Sequence, residues 1–335
     1  MRSVSDKLHR FWHLARAAEG FLRARERLGY PPTHLWIEPT NGCNLKCIHC
    51  PTGIGLERER GSIDFALVEK LIAEARSFQP LVYFHLGGES LLHPRVPEMI
   101  RLAGASGLPT AMFTNGTLLD RRRGELLIES GLQWLGISFD GLDAATYERI
   151  RRGASFERVL GNVVDFLALR RERSSRTPYT YMSVVDLSST AGDQLQSVWD
   201  ATRTRLRGAG LDHLELAAPH TWAGLALDAP DAAPPRPPTR CPAPWSGLAI
   251  LWNGTAVPCC IDIEGRLPVG DLNHSTIEEV WNGPALAELR RAFLTGRWEA
   301  LPQVCRECHV PREPTWAGIP VKAWVELKEE LLGVG

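Results

Sequence analysis

Three closely spaced cysteines form the first group of residues that could do chemistry. Cys43, Cys47 and Cys50 follow a Cys-x3-Cys-x2-Cys spacing directly after the strand-like segment 35–38. Because iron–sulfur clusters are ligated by cysteine sulfur, three thiolates this close can hold three irons of one cubane and leave the fourth without a protein ligand. Such an open iron can bind a substrate or a cofactor. Zinc sites use similar spacings and are the alternative.

A second group of cysteines lies towards the end of the chain. The spacing is Cys-x17-Cys-x45-Cys-x2-Cys, and its members are Cys241, Cys259, Cys305 and Cys308. Four thiolates that close one site can bind a structural zinc ion or a 4Fe-4S cluster. Within this region, Trp252-Asn253-Gly254 predicts a hairpin turn between two short strands.

Two further features of this second group have alternative interpretations. Cys260 is a surplus thiol, and adjacent side chains on an extended segment point to opposite faces, so ligation by Cys259 would turn Cys260 elsewhere. Cys260 is then either a small buried hydrophobe or a hydrogen-atom donor to a substrate radical. Cys305-x-x-Cys308-His309 also matches the attachment signature of c-type haem, which the lack of an export signal disfavours.

Length and composition limit the class of protein. The 335 residues suit one large domain plus a smaller one, and 44% hydrophobic with 23% charged residues is typical of a soluble globular protein. Lys+Arg 38 against Asp+Glu 39 gives no electrostatic case for nucleic acid. No apolar run approaches the about 20 residues of a membrane span, and no signal peptide precedes the chain's first strand. The cytoplasm is the predicted compartment, where clustered cysteines indicate metal ligands before disulfides.

The remaining pattern predicts the elements that must position these residues. Residues 1–30 form an amphipathic helix with arginines on its polar faces, which can lie on a membrane but is favoured to pack on the domain or on a partner chain. Between residues 34 and 218, short β-branched or aromatic runs alternate with helical patterns, which indicates a parallel α/β sheet. The predicted strands are 34–38, 81–86, 109–114, 133–139, 178–185 and 212–217, and the helices lie near 65–78, 95–105, 118–130, 155–173 and 192–208.

Polar residues follow several of these strands. The second strand ends at Gly87-Gly88-Glu89, the third at Thr114-Asn115 and the fourth at Ser138-Phe139-Asp140. Such sequences are common turn formers, but carboxyl ends of parallel strands converge on one edge, where βα barrels do their chemistry. Glycine permits close backbone approach, and Glu89 supplies an anionic acceptor.

Together these motifs resemble the radical S-adenosylmethionine enzymes, whose sulfonium cofactor chelates the open iron and is cleaved to a 5'-deoxyadenosyl radical. The resemblance implies an α/β fold, a partial (β/α)6 TIM-like barrel over 31–220, with a 4Fe-4S cluster on the first three cysteines. It also implies cofactor contacts from Gly87, Gly88 and Glu89 to the amino group, and from Thr114, Asn115, Ser138 and Asp140 to the methionine moiety or ribose. His49 stands where the family usually has an aromatic residue, and its imidazole could stack on the adenine. Arg151-Arg152 could pair with the cofactor carboxylate or be a solvated charge run.

The C-terminal part resembles the SPASM or twitch domain that follows many of these barrels. The resemblance rests on Cys241-Pro242-x-Pro244-Trp245, Pro258-Cys259, Gly270-Asp271-Leu272 and Ile277-x3-Trp281-Asn282. It implies one auxiliary 4Fe-4S cluster, because the cysteines here suffice for a single cluster, in a domain over 241–320. A Pro-rich linker over 221–240 precedes it and a helix or tail over 321–335 follows.

The chemistry that follows is an oxidation. A carbon radical beside a hydroxyl is strongly reducing, so an auxiliary cluster could take its electron while a base takes the hydroxyl proton. We expect a dehydrogenase acting on a carbinol of a sugar, aminocyclitol or nucleoside-type intermediate, as in relatives from aminoglycoside pathways, with a flavodoxin or ferredoxin-type protein as reductant. Arg152 and Glu215 are candidate catalytic residues, together with His220 and Asp262 as further candidate bases.

Three alternatives remain beside this expectation. Return of a hydrogen atom by Cys260 to the opposite face would make the protein an epimerase. Peptide maturation is common among SPASM enzymes, although about 30 residues before the first strand are few for a leader-binding domain. A zinc-stabilised, non-enzymatic binding protein would use both cysteine groups structurally.

Overall fold

The structure is a computed structural model that describes residues 4–185, 193–217, 222, 225, 239–312, 315–316 and 319–320. The predicted tail 321–335, almost all of the predicted linker 221–240 and the candidate base His220 lie outside the described residues.

The helices form where apolar residues recur at helical spacing and polar caps precede them. Asp64, Asp120 and Asp143 each accept a backbone N–H at the start of a helix, and Thr276 does so within a capping box. The described α-helices are α1 Val4–Leu22, α2 Pro51–Ile54, α3 Phe65–Ala75, α4 Val96–Ala105, α5 Arg121–Glu129, α6 Ala144–Ile150, α7 Phe156–Glu172, α8 Asp193–Ala209, α9 Ala243–Ser246, α10 Ile277–Trp281, α11 Pro284–Leu294 and α12 Gln303–Arg306.

The strands confirm the predicted α/β alternation. All six predicted strands and all five predicted helices of the barrel region are present, with ends shifted by a few residues. The described strands are β1 His34–Ile37, β2 Leu81–Tyr83, β3 Thr110–Thr114, β4 Trp134–Ser138, β5 Tyr179–Val185, β6 His213–Ala217, β7 Gly247–Ile250, β8 Thr255–Val257, β9 Gly270–Asp271, β10 Thr315–Trp316 and β11 Ile319–Pro320.

The sheet continues from the first part of the chain into the second. Its order is β6-β5-β4-β3-β2-β1-β7-β8-β9, and β1 to β6 are parallel neighbours, consistent with a partial barrel. β7 joins parallel to β1, with His34 opposite Gly247 and Ile37 opposite Ile250. The hairpin predicted at Trp252-Asn253-Gly254 is confirmed, since β7 and β8 are antiparallel. The region of the second cysteine group therefore begins with a strand, β7, that pairs with β1, and the loop after β1 contains the first cysteine group.

The two faces of the barrel sheet differ in burial. Leu35 and Ile37 of β1 are fully buried under the surrounding helices, whereas His34 and Trp36 are only half-buried, and β5 alternates in the same way. Because successive side chains of a strand point to opposite faces, the inner face is the less buried one. The space bordered by this inner face, called the cavity, is thus partly open to solvent.

Helix α1 packs on the C-terminal part of the chain. Phe21 lies edge-on to Trp245 with ring centroids 5.6 Å apart, and Tyr30 donates a hydrogen bond to the Trp245 carbonyl at 3.0 Å. Leu8 and Trp12 remain more than half exposed on its outer face. No helix of the described residues combines the length and apolarity needed to cross a bilayer.

Candidate active site

The loop of the first three cysteines follows β1 and is held by backbone hydrogen bonds to residues 150–152. The Lys46 N–H donates to the Arg152 carbonyl at 2.9 Å, and the Ile48 N–H donates to the Ile150 carbonyl at 3.0 Å. A Cβ on Gly53 would lie 2.4 Å from the Cys47 carbonyl oxygen, so only glycine lets α2 pack this closely on the loop. The three thiols are thereby fixed at the carboxyl end of β1.

The thiols of this loop influence one another and are poorly solvated. Burial raises the pKa of Cys43, and it raises the pKa of Cys47 to about 12, with the neighbouring thiols adding to both effects. Iron binds the thiolate and not the thiol, so the deprotonated form at this site depends on a bound metal. The loop therefore fits a cluster better than a free nucleophile.

A buried carboxylate lies beside the cysteine loop. One oxygen of Asp140, Oδ2, is 2.7 Å from Arg151 Nη2 and 3.3 Å from His49 Nε2, and the other accepts the Val185 N–H at 3.2 Å. Burial acts to lower the pKa of Arg151, but Asp140 and the Cys47 thiol outweigh it and the pKa is raised. Burial lowers the pKa of His49. The Nε2 atom of His49 contacts Asp140, whereas its Nδ1 has no hydrogen-bond partner among the described residues.

Of the two neighbouring arginines, Arg151 points to the site. Its side chain is 7% exposed and Nε has no hydrogen-bond partner among the described residues, so one donor is left for a ligand. Arg152 is exposed and meets the cysteine loop only through its backbone carbonyl in the hydrogen bonds described above. The sequence analysis considered both arginines for the cofactor carboxylate but named Arg152 alone as a catalytic candidate, because local pattern does not reveal which of the two is buried.

The Gly87-Gly88-Glu89 loop packs on the chain itself. A Cβ on Gly88 would lie 2.3 Å from the Thr40 carbonyl oxygen and 2.4 Å from that of Gly42, and the Glu89 N–H donates to Gly42 at 2.8 Å. The glycines therefore allow this loop to lie against the segment that leads into Cys43. Packing against this segment, and not contact with a ligand, is the observed reason that glycine is needed here.

The carboxylate of Glu89 is buried and joins the second strand end to the third. It accepts hydrogen bonds from Thr114 Oγ1 at 2.8 Å, from the Asn115 N–H at 2.7 Å and from the Leu91 N–H at 3.1 Å. Burial raises its pKa, although these donors act in the opposite direction. Asn115 Nδ2 lies 3.9 Å from Cys43 Sγ, so Glu89, Thr114 and Asn115 surround the start of the cysteine loop.

The inner face of the sheet carries an aromatic wall below this edge. Trp36 and Tyr83 stack with centroids 5.2 Å apart and an interplanar angle of 7°, and Phe113 meets Tyr181 edge-on at 5.2 Å. A Cβ on Gly136 would lie 2.5 Å from the Phe113 ring, so the glycine of β4 makes room for it. Aromatic residues alternating with aliphatic ones in these strands were a visible pattern whose meaning the sequence analysis missed.

His85 lies in this wall, two residues before the glycine loop. Its ring centroid is 4.6 Å from that of Phe113 and 5.7 Å from that of Tyr83, and Nε2 has no hydrogen-bond partner among the described residues. Burial lowers its pKa to about 4, so the imidazole is neutral at physiological pH. A neutral imidazole facing the cavity can donate or accept one hydrogen bond from a ligand.

Three polar side chains stand in one row near the open edge of the cavity. Ser138 is opposite Ser183 on β5, and Ser183 is opposite Glu215 on β6, and all three are half-buried on the inner face. Residues in register on neighbouring strands point the same way. Ser138 and Glu215, predicted from strand ends, are therefore brought to one side of the same cavity.

The second group of cysteines also converges. The thiols of Cys241, Cys308 and Cys260 lie close enough to Cys259 to raise its pKa further, after burial, and Cys308 does the same for Cys305, whose pKa is raised to about 12. Cys241 and Cys308 are buried. Residues separated by more than sixty positions are thereby brought near one another, as one four-thiolate cluster site requires.

The argument made for Cys260 from strand geometry does not apply. Cys259 and Cys260 lie in a bend and turn after β8 and not on an extended segment, so their side chains do not alternate across a sheet. Cys260 is half-buried and close to Cys259. It is thus beside the second thiol group.

Both groups offer cysteine thiols, which are the ligands of iron–sulfur clusters. In the described part of the chain, no three Cys, His, Asp or Glu side chains are grouped tightly enough to hold one metal ion.

Fold and site together define a class of protein. A parallel βα sheet with a three-thiol loop after its first strand, joined to a four-thiol region, is the arrangement of a radical S-adenosylmethionine enzyme with an auxiliary-cluster domain.

Comparisons with known proteins agree. The model of the Radical SAM superfamily matches residues 37–181, and that of SPASM, an iron–sulfur cluster-binding domain, matches residues 241–309. The PqqA peptide cyclase of Gluconobacter oxydans (strain 621H) is 26% identical over 88% of this chain and 87% of that protein.

Two solved structures share the fold. BtrN in complex with AdoMet and 2-DOIA has a TM-score of 0.56 at 18% identity, with 85% of this chain and 97% of that chain covered. SuiB of Streptococcus suis bound to precursor peptide SuiA has a TM-score of 0.64 at 16% identity, with 84% and 70% covered. The chain belongs to the radical SAM superfamily and carries a SPASM domain. Its domains imply S-adenosylmethionine, one 4Fe-4S cluster and an auxiliary cluster.

Proposed function

We propose that this radical SAM enzyme oxidises a carbinol carbon of a polyhydroxylated ring, such as a sugar, aminocyclitol or nucleoside-type intermediate, to a ketone. The observation that carries the proposal is the composition of the cavity wall. Aromatic faces at Trp36, Tyr83 and Phe113 suit the C–H face of a ring, and His85, Ser138 and Glu215 offer hydrogen-bonding groups at its edge.

The cysteines would hold the two clusters. Cys43, Cys47 and Cys50 would bind the first, and Cys241, Cys259, Cys305 and Cys308 the second. When bound, the first cluster and S-adenosylmethionine supply a hydrogen-abstracting 5'-deoxyadenosyl radical, and the auxiliary cluster supplies an electron acceptor.

The cofactor contacts are proposed from residues at the same edge. Arg151, with its spare Nε donor, suits the cofactor carboxylate. Asn115, whose Nδ2 lies 3.9 Å from Cys43 Sγ, is proposed to contact the methionine moiety or ribose together with Thr114, Ser138 and Asp140. Gly87, Gly88 and Glu89 shape that edge, and His49 Nδ1 is left to face the ligand.

Oxidation of the carbinol to a ketone removes one hydrogen atom, one proton and one electron from the substrate. The hydrogen atom leaves the carbinol carbon, the proton leaves its hydroxyl, and the electron leaves the resulting carbon radical. Glu215 and His85, both half-buried on the inner face, are the candidate bases for the hydroxyl proton, and the lowered pKa of His85 makes its imidazole a weak base. Arg152 is exposed, which makes it the weakest of the proposed catalytic residues.

A second candidate function is modification of a peptide. It is favoured by the similarity to the PqqA peptide cyclase, which extends over 87% of that protein. An aromatic-walled cavity also accommodates an apolar peptide side chain.

Product analysis tests both. Anaerobically reconstituted, reduced enzyme is incubated with S-adenosylmethionine and either a panel of aminocyclitols and amino sugars or the PqqA and SuiA peptides. The proposal expects 5'-deoxyadenosine in equal amount to a ring product that has lost two hydrogens. Modification of the peptide alone, with every ring compound unchanged, would refute it.

Heavy water separates oxidation from epimerisation. If Cys260 returns hydrogen to the substrate, the product carries one solvent deuterium at an inverted carbon, and Cys260→Ala abolishes that product. A ketone formed equally well by Cys260→Ala supports oxidation and leaves Cys260 without a role as hydrogen donor.

A further inference from the structure

A fully buried carboxylate joins three distant segments at the carboxyl end of β1. Glu38 Oε1 accepts the Gly87 N–H at 3.0 Å, and Oε2 accepts the Trp252 N–H at 3.0 Å. The Arg58 guanidinium donates to both oxygens, with Nη1 2.8 Å from Oε2. A Cβ on Gly87 would lie 2.6 Å from Oε1, so this glycine makes room for the carboxylate. Glu38 therefore connects the glycine loop of the barrel to the hairpin of the SPASM domain.

Arg58 extends this connection to the loop that carries Cys259. Its Nε donates to the Ile263 carbonyl at 2.6 Å, and the backbone N–H groups of Glu57 and Arg58 donate to the Glu264 carboxylate at 2.9 and 3.4 Å. A planar guanidinium that binds a carboxylate on one edge and a carbonyl on another holds both in a set geometry.

The loop beyond Cys259 is itself well braced. Asp262 is 1% exposed, and its carboxylate accepts the N–H groups of Arg266 and Leu267 at 2.9 and 2.8 Å. Its own N–H reaches the Cys259 carbonyl at 3.4 Å. A displacement of Ile263 is thereby passed on to Cys259, because the turn between them has few ways to deform.

We propose that Glu38 and Arg58 are positioning residues that hold the auxiliary loop 259–267 against the cofactor edge at Gly87, so that binding of S-adenosylmethionine at that edge stabilises the auxiliary loop. These two side chains span the path from the Gly87 N–H to the Ile263 carbonyl of the auxiliary loop. Neither belongs to the residues proposed to contact substrate or cofactor, since Glu38 is fully buried and the half-buried Arg58 is engaged by Glu38 and Ile263. Holding the auxiliary loop in place would fix the position of the electron acceptor relative to the substrate. This functional consequence rests on the proposed oxidation.

The test measures amide hydrogen exchange in residues 259–267 of the reduced holoenzyme, with and without S-adenosylmethionine and with no substrate present. In the wild type the cofactor should slow exchange by at least about fivefold, the lower end of typical coupling between two sites. In Arg58→Met this cofactor-dependent slowing should be lost.

Arg60→Met is the matched control. Arg60 lies in the same segment and donates to the carbonyls of Asn41 and Thr52 at 3.1 and 3.4 Å, both within the barrel region. The slowing should persist in this variant. A merely structural role of Arg58 would raise exchange equally with and without the cofactor, and that result would overturn the proposal. Cofactor-dependent slowing retained in Arg58→Met, or absent from the wild type, would overturn it as well.

A double variant keeps the test decisive if Arg58→Met does not fold. Removing one partner leaves an uncompensated buried charge, whereas Glu38→Gln combined with Arg58→Met leaves none. The double variant should retain the iron content of the wild type and still lose the slowing. Because no substrate is used, failure here is distinguishable from failure of the ring oxidation, which product analysis decides separately.

Discussion

The ion pair of Asp140 and Arg151 allows a quantitative prediction for Asp140→Asn. The side chains are 1% and 7% exposed, and the charged atoms are 2.7 Å apart. Two unit charges at that separation attract by about 6 kcal/mol at an effective dielectric constant of about 20. Asparagine keeps the shape but removes the charge, which leaves the Arg151 guanidinium buried and uncompensated. Loss of one partner of a buried pair costs about 3 to 5 kcal/mol, which is the loss of unfolding free energy we expect.

A double-mutant cycle separates this coupling from other effects. Arg151→Met removes the other charge, and the double variant Asp140→Asn/Arg151→Met contains no buried unpaired ion. We expect the double variant to be more stable than Asp140→Asn alone. The assay is urea unfolding of the four anaerobically reconstituted proteins, followed by circular dichroism.

The matched control is Asp120→Asn on α5. Asp120 pairs with Arg123 at the surface, where the two side chains are 53% and 40% exposed, and asparagine caps a helix as well as aspartate does. This change should cost about 1 kcal/mol or less. A coupling energy below about 0.5 kcal/mol between Asp140 and Arg151 would refute the assignment of a strong buried pair.

Three further predictions concern other parts of the molecule. Gly88→Ala should impair iron incorporation at the first cluster, because its Cβ would overlap two backbone carbonyls, whereas Gly104→Ala, with its nearest neighbour 4.0 Å away, should incorporate iron normally. Arg290→Met should lower the unfolding free energy by about 3 kcal/mol in urea titrations, since it leaves two buried carbonyls and one partly buried carbonyl without donors, while exposed Arg291→Met should change it little. The pKa of His85, lowered to about 4 by burial, implies stability that is present above about pH 6.5 and lost as the pH falls towards 4. His85→Phe should therefore lose less unfolding free energy between neutral pH and pH 5 than the wild type does, and an equal loss would contradict the buried neutral imidazole.

The sequence alone determined the features that depend on short spacings. The Cys-x3-Cys-x2-Cys loop, the four later cysteines and the alternation of strands and helices are all local patterns, and the structure confirms the strands and places the thiols in two groups. The hairpin at Trp252-Asn253-Gly254 was also predictable, because Asn-Gly favours the positive φ that Gly254 adopts at 89°.

Tertiary structure decided which residues of those patterns face the site. The parallel pairing of β7 with β1 and the contact of Glu38 with Arg58 join segments that are distant in the chain. Arg151 and the exposed Arg152 are sequence neighbours, and only the fold buries one of them. Nor could local pattern show that Gly87 and Gly88 make room for Glu38 and for the Thr40 to Gly42 backbone. The physical reason is that the free energy of a buried charge or a close backbone contact depends on partners brought together only by folding, and spacing along the chain carries no record of them.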